Sequence, residues 1–185
     1  MQNSYSLRDD RGLSDFDARH RITFSALWEL PFRRHLLSDW NLALVWQAQT
    51  GNPVNILTTN TTVNGVAGTL RPDVLGPVAM AGTVDRWFDT SAFTAVPRFG
   101  QLGRNVVPGP GFRSADASLT KNVRIREILR VQFRAEFFDL LNHPNFAQPG
   151  NVVGTPGFAR ITATRFPTGE SGSSRQVQFG LKVLL

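Results

Sequence analysis

The sequence predicts an all-β protein in which an antiparallel sheet forms part of a transmembrane β-barrel. Apolar and polar residues alternate over five segments of about ten residues, which is the period of a β-strand and the length of a tilted membrane strand. One side is polar and rich in glutamine, as a wet lumen needs, and the other is apolar over five positions in three segments. Alternation alone is equally typical of soluble half-buried sheets, so these further features decide the prediction.

The first two predicted strands, 20–30 and 40–49, are joined by a short polar connection of the hairpin type. Their apolar positions are Ile22, Phe24, Ala26, Trp28 and Leu30, and then Trp40, Leu42, Leu44, Trp46 and Ala48. Trp28 and Trp40 flank the connection, where an interfacial girdle of aromatic residues would lie.

Three more strands are predicted near the end of the chain. The third, 114–123, alternates weakly, and a short turn over Asn122–Glu127 joins it to the fourth, 129–138. The last, 175–185, alternates up to the final residue. We expect Phe158–Arg165 to be a small strand-like piece within the loop that precedes it.

Two long connections, 51–111 and 143–174, carry many Gly and Pro residues and show no sustained period. Compact soluble domains rarely contain irregular loops of this size, whereas outer-membrane barrels commonly do. We therefore expect both segments to be long irregular extracellular loops.

Composition excludes several function classes. The chain of 185 residues has a net charge of +6, but its basic residues are scattered, so no nucleic-acid partner is expected. It contains no Cys and only three His residues, at spacings that match no metal motif. His20 lies near Asp15 and Asp17 but lacks a nucleophile, and His143 precedes a proline in a turn. We expect no enzyme activity and no catalytic, cofactor-binding or metal-binding residue.

Targeting signals are also missing from the sequence. The first residues contain no apolar signal-peptide region, and no apolar stretch approaches the roughly 18 residues of a membrane helix. An exported strand protein without a signal peptide is expected to be a fragment or a truncated gene product.

A set of short motifs is spread over the chain from Asp15 to its end: Asp17, His20, Arg21, Phe24, 29–32, Trp40, 49–53, 71–73, 87–89, Ala92, Phe93, 99–100, 103–105, 116–119, Lys121, 132–136, 142–146, Arg175 and Gln178. No single motif is decisive, but their order and spacing together are specific. Through these residues the chain resembles the C-terminal part of TonB-dependent outer-membrane receptors, in particular the Oar-like group that carries a carboxypeptidase-regulatory-like domain.

The resemblance implies a barrel of about 22 strands, filled by an N-terminal plug that follows a TonB box. The chain carries neither of these parts and only the last four or so strands, too few to close a barrel. Residues 1–185 are therefore expected to be a C-terminal fragment of the barrel domain. The implied function is energy-coupled uptake of an unidentified substrate across the outer membrane of a Gram-negative cell. The implied partners are outer-membrane lipid, the barrel assembly machinery and, through the missing part, a TonB-type protein.

The resemblance also orients the strands. If the C-terminus is periplasmic, the short connections Pro31–Asp39 and Asn122–Glu127 lie on the periplasmic side and both long segments lie outside. On the polar side of the strands, four charged residues are expected to face the lumen: Asp116, Arg134, Glu136 and Lys182. Their opposite signs favour pairing between neighbouring strands, and contact with the plug is the functional alternative.

The C-terminal strand resembles the signal that the barrel assembly machinery recognises. Its apolar positions are Val177, Phe179, Leu181, Val183 and Leu185. The family usually ends in Phe, so Leu185 departs from the pattern while keeping an apolar side chain. The alternative is an ordinary lipid-facing strand without a recognition role.

A soluble β-rich module that binds a carbohydrate or another ligand remains the alternative for the whole chain. A requirement for detergent separates the two hypotheses, because only the barrel needs it.

Overall fold

The structure, a computed structural model, describes most of the chain. The described residues are 2–3, 6–8, 10–31, 38–59, 61–63, 66–68, 70–126, 129–165 and 174–184, with the side chains of 61–63, 66–68 and 126 left out. They form two units, which we call the sheet unit (His20–Gln49, Phe112–Asn145 and Thr164–Leu185) and the loop unit (Met1–Arg19, Thr50–Gly111 and Phe146–Ala163).

Among the described residues, nearly all regular structure is β-strand, which confirms the predicted fold class. In chain order the strands are β1 (Arg21–Glu29), β2 (Trp40–Gln49), β3 (Pro53–Val54), β4 (Thr61–Val63), β5 (Val66–Gly68), β6 (Asp73–Val74), β7 (Phe93–Thr94), β8 (Val107–Pro108), β9 (Phe112–Arg126), β10 (Leu129–Phe138) and β11 (Gln176–Leu184).

The five long strands form one antiparallel sheet in the order β1-β2-β9-β10-β11. This up-and-down order places the short connections β1–β2 and β9–β10 at the same edge of the sheet, which we call the hairpin edge. The chain enters β1, β9 and β11, and leaves β2 and β10, at the opposite edge. Within the described residues, β1 and β11 each pair with a single neighbour, so both sides of the sheet are open.

The predicted turn over Asn122–Glu127 is wrong for its first five residues, because β9 continues to Arg126. Val123 and Ile125 extend the apolar alternation, which allows these residues to pair with β10 instead of turning. A register irregularity between Leu129 and Arg130 marks the start of β10. Glu127 lies outside the described residues.

The loop unit has its own apolar core, contrary to the expectation of two irregular loops. Eight buried residues form it: Val54, Ile56, Phe88, Ala92, Phe93, Leu102, Val107 and Ala159. Three phenylalanine rings pack edge to face, with centroids 5.3 to 5.7 Å apart: Phe88, Phe93 and Phe158. The unit contains three two-stranded pairs, β3–β8, β4–β5 and β6–β7, and Val54, Phe93 and Val107 of these strands belong to the core.

The strand-like piece predicted over Phe158–Arg165 is also wrong. Phe158 forms only an isolated bridge with Gly150, and no strand follows it. The backbone turns directly after Phe158, because Ala159 has a φ of 65°, which is outside the range of a β-strand.

Candidate functional site

The apolar positions of the five long strands lie on one face of the sheet. One row of cross-strand partners runs through all five strands: Trp28, Leu42, Leu119, Ala135 and Phe179. A one-residue shift in any pairing would move a strand's apolar side chains to the other face, so these registers keep the face continuous.

This apolar face is uncovered at both sides of the sheet. Trp28 is 58% exposed, Phe179 is 68% exposed and Leu181 is 72% exposed. Exposed apolar surface of this extent is unfavourable in water, at roughly 25 cal/mol per Å² relative to burial. The face therefore requires an apolar environment or a partner.

One cation lies within the apolar face, at the hairpin edge. Lys121 pairs in register with Trp40 on one side and with Phe133 on the other. Its side chain is buried, and its Nζ donates a hydrogen bond to the carbonyl oxygen of Ser38. The Nζ also lies 5.6 Å from the centroid of the Trp40 ring, so the charge is held by a carbonyl and an aromatic face.

The opposite face carries the four charged residues predicted for the lumen. Arg134 lies opposite Thr120 and Gly180, and Lys182 lies opposite Gln132. The ion pair that the described residues show within this group, 3.4 Å between Arg134 and Glu136, runs along β10 rather than between strands. Alternate residues of one strand share a face, which brings these two side chains together.

The sequence predicts that Asp116 pairs with a charged residue, but its observed contacts are with a backbone N–H and a hydroxyl. Its Oδ1 accepts hydrogen bonds from the backbone N–H of Asp139 at 2.9 Å and from the hydroxyl of Ser114 at 3.2 Å. The carboxylate therefore holds the backbone where the chain leaves β10.

A polar cavity of about 820 Å³ opens on this face at the hairpin edge. Residues of β1, β2, β9, β10 and β11, and of the segment before β2, line it: Glu29, Leu30, Ser38, Asp39, Trp40, Asn41, Asn122, Val123, Arg124, Arg130, Gln132 and Leu184. Two carboxylates, Glu29 and Asp39, come from the β1–β2 side, and two guanidinium groups, Arg124 and Arg130, come from β9 and β10. The cavity is thus acidic at one side and basic at the other.

The segment 142–146, one of the motifs that carry the family resemblance, acts as a clamp after β10. The fully buried amide of Asn145 accepts a hydrogen bond from the N–H of Arg113 and donates one to its carbonyl, both at 2.8 Å. The side chain of Asn145 thus bonds to the N–H and C=O of Arg113 at the start of β9, as a neighbouring strand would otherwise do. Asp139, which has a φ of 47°, accepts from the N–H of His143 at 3.2 Å.

In the loop unit, the polar side chains of the motif 71–73 also form hydrogen bonds and ion pairs within the protein. The buried guanidinium of Arg71 bonds to the carboxylate of Asp10 at 2.6 Å and to the carbonyl of Leu102 at 2.9 Å. Asp73 accepts from the guanidinium of Arg98 and from the N–H of Gln101. These contacts hold the N-terminal segment and 98–102 to one core, so the motif is structural rather than ligand-binding.

Four carboxylates of this unit have lowered pKa values: Asp10, Asp15, Asp73 and Asp89. Burial raises the pKa of Asp10, but hydrogen bonds from Arg71 and from the N–H of Gln2 outweigh it and lower the pKa overall. The amide of Asn105 and the guanidinium of Arg104 lower the pKa of Asp15. Asp73 and Asp89 have lowered pKa values for the same kind of reason, since they accept backbone and side-chain hydrogen bonds.

The described part of the chain contains no group of His, Cys, Asp and Glu residues arranged to hold a metal ion. None of its helices has the length and the hydropathy needed to cross a membrane.

The sequence matches the family described as outer membrane beta barrel domain over residues 1–178. The chain belongs to this family. No match was found among curated proteins or among solved structures.

Membership of the outer membrane β-barrel family places the chain in the outer membrane and explains its two unlike faces. The exposed apolar side chains suit the hydrocarbon of the bilayer, and the charged face suits a water-filled interior. The family therefore favours the membrane hypothesis over the soluble binding module.

The residues predicted as an assembly signal lie on β11, at one open side of this barrel sheet. Val177, Phe179, Leu181 and Val183 share the apolar face, since their partners on β10 do so. Leu185 lies outside the described residues. The recognition role of these residues remains a prediction.

Sequence reasoning missed two features of the barrel sheet. It found only weak alternation in the third strand, 114–123, so it did not place Lys121 on the apolar face. It also assigned Arg124 to a turn, although the alternation through Val123 and Ile125 indicates a longer strand and places Arg124 on the polar face.

Proposed function

We propose that the chain forms part of the barrel wall of a TonB-dependent outer-membrane receptor, which takes up an unidentified substrate by energy coupling. The observation that supports this most strongly is the two-sidedness of the sheet, with an exposed apolar face and a charged face that lines a polar cavity. The family resemblance supplies the finer assignment to TonB-dependent receptors.

A sheet of five strands is too small to enclose a lumen, since about eight strands are the practical minimum. In the proposed receptor, the open sides at β1 and β11 pair with further strands, and this closure removes exposed backbone groups from the bilayer. The apolar face contacts outer-membrane lipid. We assign the chain no catalytic step, cofactor or nucleic-acid partner.

The folded loop unit supports a receptor rather than an open pore. Its eight-residue core orders segments that would otherwise be free loops, and ordered surface loops on a rigid scaffold commonly bind ligands. In the proposed receptor these segments bind the substrate outside the cell, and a TonB-type protein acts from the periplasm on the plug.

The decisive experiment compares energy-coupled and passive behaviour of the native outer-membrane assembly that contains this chain. We expect the purified assembly to retain the C-terminal domain of a TonB-type protein and to show no passive solute flux in liposomes. A matched assembly without its N-terminal TonB box should lose TonB retention and remain impermeable. Free solute flux without TonB retention would identify an open pore and contradict the proposal.

The barrel assembly machinery is the second proposed partner. An edge strand with one apolar face can add to another sheet edge by strand augmentation, and β11 has this form. Deleting 183–185 should leave the protein synthesised but lower the amount of heat-modifiable barrel in the outer membrane. An unchanged amount of barrel would remove the recognition role.

A further inference from the structure

Two arginine side chains lie directly opposite each other on the polar face of the sheet. The register of β9 and β10 pairs Arg124 with Arg130, and both side chains are exposed in the cavity at the hairpin edge. Like charges at directly opposite positions repel each other and destabilise strand pairing. The arrangement therefore costs stability unless something neutralises it.

The described part of the chain supplies no counter-charge to this pair. Within the described residues, neither Arg124 nor Arg130 takes part in an ion pair or a side-chain hydrogen bond. Arg134, on the same face of the same strand β10, is by contrast paired with Glu136 at 3.4 Å. The two arginines that line the cavity thus differ from Arg134, which has a counter-charge on its own strand.

The surroundings of the two arginines supply further groups suited to an anion. Gln132 donates a hydrogen bond to the Oδ1 of Asn122 at 2.9 Å, which leaves the amide nitrogen of Asn122 available in the cavity. Lys182 lies opposite Gln132, diagonally from Arg130, and adds positive potential on the same face. Its ammonium has no ion pair within the described residues.

We propose that Arg124 and Arg130 form a binding site for a compact anion that carries a carboxylate or a phosphate group. A guanidinium group presents paired N–H donors that match the oxygens of either group, and two guanidinium groups can hold one anion from both sides. Glu29 and Asp39 line the other side of the cavity and disfavour a long polyanion across it. The site therefore selects a small anionic group at the β9–β10 side.

This site requires the sheet and its register but not energy-coupled uptake. Loss of anion binding would leave the proposed TonB coupling untouched, and a failed TonB experiment would leave the anion site untouched. The two proposals thus fail independently.

The test uses the native outer-membrane assembly that contains this chain, purified in micelles of an uncharged detergent, with inorganic phosphate and succinate as probes. Binding is measured by titration calorimetry, and by ³¹P line broadening for phosphate, at constant ionic strength maintained with chloride. We expect R124Q and R130Q each to bind both probes at least about tenfold more weakly than the unchanged chain. R134Q is the matched control, because its guanidinium already has a partner, and we expect it to bind as the unchanged chain does.

Stability provides a second measurement that does not depend on detecting weak binding. Without added anion, R130Q should resist thermal unfolding better than the unchanged chain, because it removes the like-charge contact. Phosphate should raise the unfolding temperature of the unchanged chain and of R134Q but not of R130Q. Equal effects of phosphate on all three proteins would overturn the proposal.

A final comparison separates a free anion from a lipid headgroup. Micelles doped with phosphatidylglycerol should not replace inorganic phosphate, because the arginine pair lies on the face opposite the apolar one. Protection by the anionic lipid, lost in R130Q and absent with free phosphate, would contradict the small-anion site. Absence of any difference between R130Q and R134Q would do the same.

Discussion

Lys121 lies directly opposite Trp40 on the apolar face of the barrel sheet, and its Nζ is 5.6 Å from the centroid of the indole ring. A buried lysine on a lipid-facing surface is costly unless its charge is satisfied. Here the carbonyl of Ser38 and the aromatic ring satisfy it at the hairpin edge. The contact joins the segment before β2 to the middle of the sheet.

Replacing this lysine tests how much the contact contributes. We expect Lys121→Met to lower the free energy of unfolding in detergent micelles by about 1–2 kcal/mol, since it removes a charge-assisted hydrogen bond and a cation–π contact. The measurement is urea unfolding followed by heat-modifiable migration in gels. Lys182→Met is the control, because its ammonium faces the polar side, and a larger loss in the control would contradict this role of Lys121.

The Asn145 clamp leads to a second prediction. Asn145→Ala removes two hydrogen bonds and leaves the buried N–H and C=O of Arg113 without these partners. We expect a loss of about 2–3 kcal/mol in the free energy of unfolding. The comparison is Gln178→Ala, an exposed residue of β11, which should change stability by less than about 0.5 kcal/mol. A loss as small as in Gln178→Ala would show that the clamp is dispensable.

The acid response of the loop unit follows from its lowered carboxylate pKa values. A carboxyl group with a lower pKa in the folded protein binds fewer protons there than in the unfolded chain, so it stabilises the fold above its ordinary pKa. That contribution is lost as the pH falls below about 4 and approaches the lowered pKa. The hydrogen-exchange protection of 70–103, measured relative to the intrinsic exchange rate at each pH, should therefore fall in acid.

The Asp10–Arg71 pair should account for part of this acid response. Asp10→Asn should weaken the protection of 70–103 at neutral pH and reduce its dependence on acid. Asp85→Asn, which removes an exposed ion pair with Arg160, is the control and should leave the profile unchanged. Identical profiles for the two variants would contradict a structural role for Asp10.

The strands of the sheet unit could be predicted from the sequence, whereas the core of the loop unit could not, and the difference has a physical reason. Strand alternation has a strict period of two, so the apolar positions Val131 and Phe133 predict both the strand and its face. Their partners Val183 and Leu181 show the same pattern, and pairing keeps the faces together.

The loop core and the arginine pair depend on long-range geometry instead. Phe88 and Phe158 meet across 70 residues of chain without any periodic pattern, so no local signal could bring them together. The opposition of Arg124 and Arg130 depends on the register that follows the β9–β10 connection and its irregularity at Leu129 and Arg130. A sequence alone does not specify that register.

An epitope in the segment 51–111 tests whether this segment lies outside the cell, and so tests the orientation of the barrel in the membrane. Gly82 has a φ of 68°, and a Cβ added there would meet no other atom within 4 Å, so an inserted epitope should be tolerated at this position. We expect antibodies to bind this epitope on intact cells. An epitope inserted between Asn41 and Leu42, within β2, is the control that should prevent assembly. Labelling at Gly82 only after the outer membrane is permeabilised would reverse the orientation.

The most direct test of the account is the environment of successive residues on β11. The chain contains no Cys, so single cysteines at 177, 179, 181 and 183 can be compared with cysteines at 178, 180 and 182 in the native membrane. The account predicts that a water-soluble thiol reagent modifies the cysteines at 178, 180 and 182. It also predicts that nitroxide labels attached to the cysteines at 177, 179, 181 and 183 are relaxed by oxygen dissolved in the lipid. Equal reaction of all seven positions with the water-soluble reagent would contradict a lipid-facing sheet.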